Sequence, residues 1–94
     1  MPALKEIDMR MKVYGWTGKG PDRSTWEVFA GDNSLAVVRA MMITPFAANQ
    51  TPLEFMRQSL AAIAPGRAVL PSAEGPAADA YLAQLAAVGL AEPA

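Results

Sequence analysis

Apolar and polar residues follow two different periods along this chain. Over residues 5–14 the period is two: Ile7, Met9, Met11 and Val13 fall on one side, and Glu6, Asp8, Arg10 and Lys12 on the other. Successive side chains of a strand point to opposite faces, so this pattern predicts a half-buried strand with one wet side. Opposite charges on that side pair along or across strands. Residues 15–24 contain three glycines and a proline and read as a loop. Residues 25–30, rich in aromatic and β-branched types, predict a second strand, and with the first a hairpin with a long tip. Tyr14 and Trp16 share the parity of the charged positions and are expected to point outward. Trp26 is in step with Val28 and Ala30, the parity expected of core residues.

The period then lengthens. Gly31, Asp32, Asn33 and Ser34 precede residues 35–42, where Leu35, Val38 and Met42 form one stripe of a short helix that Pro45 ends. Residues 43–50 are irregular, with Phe46 needing cover. The run Thr51, Pro52, Leu53, Glu54 carries the strongest local signal. Threonine as N-cap, proline at the first helical position and glutamate at the third make a capping box. Leu53, Met56, Leu60 and Ile63 follow at helical spacing until Pro65 and Gly66. Residues 67–70 are the candidate for a brief third strand. Pro76 is placed to open a last helix whose apolar face is Ala78, Tyr81, Leu82, Leu85 and Val88, with Gly89 and Leu90 as its stop and residues 91–94 as a frayed end.

These elements predict a single α+β domain over residues 1–94: a small antiparallel sheet, built from the N-terminal hairpin with a candidate third short strand, and about three helices packed on one face. A two-stranded hairpin is marginal alone, so a third strand or a second copy is expected to complete the sheet.

Composition sharpens that picture. The chain has 94 residues, and 19 are alanines that bury little area each, while Leu, Ile, Val and Phe together number 20. At about 25 cal/mol per Å² such a core only narrowly outweighs chain entropy. Burial of a further apolar face against a protein partner, including a second copy as a homodimer, is therefore expected. The net charge of −1 and a charged fraction of 18% argue against disorder. All eight basic residues lie at or before Arg67, where six acidic ones also lie; only Glu74, Asp79 and Glu92 follow. This asymmetry fits a solvated surface better than a strong nucleic-acid field. Charges occupy the start of the chain, and no apolar run approaches the roughly 20 residues of a membrane span. The expectation is a cytoplasmic protein with no membrane partner.

Candidate chemistry is bounded by an absence: the sequence has no histidine and no cysteine. These side chains supply most neutral-pH proton shuttling, thiol chemistry and zinc ligation, so no enzyme activity, metal or cofactor is expected. Glu6 and Asp8 share a strand face, but Arg10 and Lys12 beside them favour neutralisation over acid–base work. Gly18, Lys19 and Gly20 offer amides and an ammonium to an anion, without the spacing of a phosphate loop.

Two binding surfaces stand out. The last helix is nearly free of charge, with alanines around its Leu/Tyr stripe. Tyr81, Leu82, Leu85 and Val88, with Met42, are therefore the candidate protein interface. Truncating Leu82 and Leu85 is then expected to weaken association. Methionines 9, 11, 41, 42 and 56 read as core fillers, one of the adjacent pair 41 and 42 excepted as exposed. Tyr14 and Trp16, among Arg10, Lys12, Lys19 and Arg23, have the aromatic and basic pattern that binds single-stranded nucleic acid by stacking and phosphate pairing. The leading reading is a non-enzymatic, self-associating protein-interaction module such as an adaptor, inhibitor or accessory subunit. The alternative is weak single-strand binding by the hairpin.

Overall fold

The computed structural model describes residues 9–42, 49–67 and 69–94. Strand β1 (Met9–Trp16) and strand β2 (Pro21–Gly31) form an antiparallel hairpin, followed by helix α1 (Ser34–Met41) and helix α2 (Pro52–Ile63). A single 3₁₀ turn (Pro65–Arg67), helix α3 (Glu74–Ala87) and strand β3 (Ala91–Pro93) complete the chain. The sheet has three antiparallel strands in the order β2-β1-β3, so the N-terminal alternating strand lies in the middle. This is the α+β arrangement of a small sheet and three helices.

The third strand is not where alternation suggested it. Pro65–Arg67 forms the 3₁₀ turn, Ala68 lies outside the described residues, and no strand follows at Val69 and Leu70. The segment expected to fray is instead β3, pairing Ala91 with Val13, Glu92 with Lys12 and Pro93 with Met11. A Schellman stop aims it there. Gly89 adopts φ +80°, its amide donates to the Ala86 carbonyl at 3.1 Å, and the Leu90 amide reaches the Leu85 carbonyl at 2.8 Å. The reversed chain then runs antiparallel to β1, held by the Tyr14 amide donating to the Leu90 carbonyl at 2.8 Å. Three residues after the end of α3 carry no alternation to read; the turn chemistry before them was the usable signal.

The hairpin tip is also shorter than expected. The strands continue to Trp16 and from Pro21, leaving a turn closed by the Thr17 amide on the Gly20 carbonyl at 3.0 Å. The Thr17 hydroxyl accepts from the amides of both Lys19 and Gly20 at 3.2 Å. Two of the three amides of the anion-nest reading of Gly18, Lys19 and Gly20 are thus bonded within the turn.

The helices begin as their caps dictate. Asn33 accepts from the Ala36 amide at 2.9 Å to start α1, and Thr51 and Glu54 complete the capping box of α2 at 3.2 and 2.9 Å. Helix α3 starts two residues before the expected Pro76, which sits in the first turn, where a missing amide costs nothing. Glycine is needed at the β2–α1 junction. A Cβ on Gly31 would lie 2.8 Å from the Ala36 carbonyl carbon and 2.9 Å from the Val37 nitrogen.

The core joins Val37 and Val38 of α1, Met56 and Leu60 of α2, Ala77, Ala78, Tyr81, Leu82 and Leu85 of α3, and Met11, Tyr14, Leu70, Leu90 and Ala91. Met9, Val13 and Phe29 pack against it from the same face of the sheet as Met11. Met9, Met11, Met41, Met42 and Met56 are all in or against this core, including both members of the adjacent pair. The methionines therefore fill space between elements, the adaptable role that three rotatable bonds permit.

Candidate functional site

Strand register divides the sheet into two faces. Directly opposed residues of an antiparallel pair share a face, and β1 sets Met11 opposite Phe29 and Val13 opposite Glu27 on the core side. The other side carries Arg10 opposite Ala30, Lys12 opposite Val28, and Tyr14 opposite Trp26. No described helix covers this outer face: Trp26 is 56% exposed, Val28 is 42% exposed, and Ala30 is exposed.

Trp26, Val28 and Ala30 thus point away from the core, contrary to the parity reading. Residues 25–30 contain two alternating sets, one with three apolar members and one containing Phe29. The set with three apolar members reads as internal. Among the described residues β2 lies at the sheet edge, and Phe29 is its one apolar residue packed against the core. Between Trp26 and Asp22 the register with β1 shifts, inserting Arg23, Ser24 and Thr25 with no opposed partner. Such an insertion resets parity, so counting from the turn cannot identify the inward set.

Cations clasp the aromatic rings of the outer face. The Lys12 Nζ sits 4.4 Å from the Trp26 ring centroid and 5.5 Å from that of Tyr14, and the Arg23 guanidinium lies 4.6 Å from the Tyr14 ring. Arg23 also reaches Glu92 of β3 at 3.6 Å, an exposed pair that adds little stability but tethers the guanidinium over the ring. Tyr14 therefore has the outward parity expected of it yet is only 8% exposed. At the foot of β2, Asp22 accepts from the Ser24 hydroxyl at 2.6 Å and the Ser24 amide at 3.0 Å, and these bonds hold its carboxyl below the usual carboxylate range. A shallow depression of about 310 Å³ opens beside Trp26, between Tyr14, Gly15 and Thr25.

Of the residues predicted to contact nucleic acid, Lys12, Tyr14 and Arg23 come together, and Arg10 stands two positions along the same face. Trp16 and Lys19 lie beyond the register shift at the hairpin end, where Trp16 is partly exposed and Lys19 occupies the turn. Glu6 and Asp8 fall outside the described residues. Val28 and Ala30 complete the face together with Trp26, which lies here rather than in the core that its parity suggests.

The predicted protein interface has a different fate. Tyr81 and Leu85 are each 1% exposed, and Leu82 is buried with them. Phe55 packs edge-on to Tyr81 at 6.2 Å, and the Tyr81 hydroxyl accepts from Ser59 at 3.0 Å, while burial pushes its ionisation above the ordinary tyrosine value. Val88 and Met42 are half-buried against the same core. The stripe is occupied by this chain's own α1 and α2, so it offers no anchor to a partner. What α3 shows to solvent is Gly75, Pro76 and Asp79 in its first half and Ala83, Ala86 and Ala87 in its second. In sequence, a charge-poor helix in a small chain reads the same whether its stripe is covered from within or from outside.

One further polar cluster lies between the starts of α1 and α3. The buried Ser34 hydroxyl donates to the Asp79 carboxylate, with the Met9 sulfur 3.5 Å away, beside a cavity of about 330 Å³ lined by Asn33, Leu35, Gly75 and Pro76. A carboxylate is a weak base toward a serine hydroxyl, and the chain has no imidazole to replace it. The pair pins α1 to α3. Among the described residues no group of three acidic side chains could hold a metal ion, and no helix is long and apolar enough to cross a membrane. Neither a family model, nor a curated protein, nor a solved structure matches this chain, so its function is read from the outer face alone.

Proposed function

We propose that this protein is a non-enzymatic interaction module that self-associates through the β2 side of its sheet. The observation that carries the reading is the conjunction of an uncovered apolar row, Trp26, Val28 and Ala30, with a strand that has a hydrogen-bonding neighbour on one side only among the described residues. An open strand edge is a row of unpaired donors and acceptors. Native edges are commonly blunted by lysine, proline or a bulge. Residues 26–30 contain no lysine and no proline, and the irregularity of β2 lies outside them, between residues 22 and 26. Binding here is main-chain pairing with apolar cover; the sparse charge fixes register more than it steers encounter.

Sedimentation velocity over a concentration series tests this. The expected result is a reversible shift from the 9.9 kDa monomer to a dimer, lost in a Trp26→Ser, Val28→Ser double variant that keeps its helical circular dichroism. A dimer that persists in the double variant contradicts the reading.

One observation favours single-stranded nucleic acid as the second reading: Arg10, Lys12 and Arg23 share a face with Tyr14 and Trp26. Against it, the ring faces a base would stack on are already clasped by Lys12 and Arg23, and a net charge of −1 gives phosphates little long-range attraction. Titration of tryptophan emission with a mixed-sequence oligonucleotide decides between them. Saturable, salt-sensitive quenching would raise the second reading above the first.

A further inference from the structure

The pattern of β2 fixes how two copies meet, and we infer that β2 pairs antiparallel with β2 of a second copy about a two-fold axis through Val28, giving a continuous six-stranded sheet. The inference rests on the self-association reading above and names its partner and register. An axis normal to the sheet returns each residue to its own face, and directly opposed residues share a face, so the axis must pass through a residue pair of like number. The choice is then among the residues of the regular stretch 26–31, where β2 follows β1 without interruption.

Each alternative meets a specific objection. An axis at Glu27 sets two like carboxylates directly opposite, which is destabilising. An axis at Trp26 runs into the inserted residues 23–25 and opposes Val28 to Ser24 and Ala30 to Asp22. Axes at Phe29, Ala30 or Gly31 leave Trp26 opposite Asp32 or beyond the strand, with the most exposed apolar ring uncovered. The axis at Val28 opposes Val28 to Val28 and Trp26 to Ala30 in both directions, so every exposed apolar residue of the row meets an apolar one. On the core side it places Glu27 against Phe29, with no like charges opposed. A second copy is thus the occupant whose pattern the edge matches.

The chain has no cysteine, so single introduced thiols report the register without background. Val28→Cys is compared with Ala83→Cys, an exposed control on α3, under mild oxidation, with the cross-linked dimer read on non-reducing gels. Expected is a yield several-fold above the control for Val28→Cys, because residues at the axis face their own copies within disulfide reach. Trp26→Cys and Ala30→Cys are expected at control level alone and well above it when mixed, as a heterodimer. This mixed pair keeps the test independent of how Val28→Cys itself behaves. If wild-type protein dimerises and the Trp26→Ser, Val28→Ser variant does not, yet neither thiol test exceeds control, the register is wrong while the self-association reading stands. A dimer indifferent to that double variant overturns both, as does a wild-type chain that stays monomeric at every concentration.

Discussion

The molecule carries two apolar surfaces that look alike in sequence and differ in three dimensions. One is the Tyr81, Leu82 and Leu85 stripe of α3; the other is the Trp26, Val28 and Ala30 row of β2. Both are runs of apolar side chains at the period of their element. The stripe is sealed by α1 and α2, while the row stays exposed on the outer face of the sheet. Periodicity identifies a surface that needs covering and is silent on what covers it. For α3 the cover is the chain itself, and for β2 the proposed cover is a second copy.

Substitutions separate the two surfaces by the size of their effect on stability. Leu85→Ala leaves a cavity among fully packed neighbours and is expected to cost roughly 2–5 kcal/mol in urea unfolding, a large share of a small domain's stability. If it unfolds the protein no more easily than wild type, the stripe is not core and the comparison collapses. Gly31→Val, at the junction that brings α1 onto β2, is expected to cost about 1–3 kcal/mol by the same measurement, since its Cβ meets helix backbone rather than a movable side chain.

Tyr81→Phe sharpens the buried side of the comparison through pH. Loss of the Ser59 bond is expected to cost about 0.5–1.5 kcal/mol near neutral pH. Burial raises the ionisation of Tyr81 in the folded state above its unfolded value. The unfolded chain therefore releases this proton first, and its contribution falls as pH rises through the unfolded value toward the folded one. Urea titrations at about pH 8 and about pH 11 should show the gap between wild type and Tyr81→Phe narrowing at the higher pH. A constant or widening gap would mean the hydroxyl is not buried as described. Smallest is the effect of Val28→Ser on monomer stability, expected within about 0.5 kcal/mol at dilution because the side chain has little cover to lose.

The legible parts of the fold were those whose signals are local. The capping box at Thr51, the Asn33 cap and the Schellman stop at Gly89 are chemistry between near neighbours, and each stands where residue types place it. Alternation in β1 placed Met9, Met11 and Val13 on the core side. What was not legible depends on distant partners. The inward set of β2 is decided by the inserted residues 23–25 and by its place at the sheet edge, and neither leaves a periodic trace. The third strand is three residues long, and pairing with β1 alone defines it. Tyr14 kept its outward parity but lost its exposure to Arg23 and Lys12, which reach it from positions nine and two residues away. The basic and aromatic residues grouped by sequence thus share a face in part, while the apolar row beside them lies on the side opposite to the one its parity suggests.

The central claim is that β2, and not α3, is the surface that meets a partner copy. Amide hydrogen exchange at low and high protein concentration tests it most directly, because main-chain pairing protects the amides it engages. The account predicts that amides within residues 25–31 gain protection as concentration rises, while those of α3 exchange equally slowly at both. Concentration-dependent protection in α3 with none in β2 would contradict it.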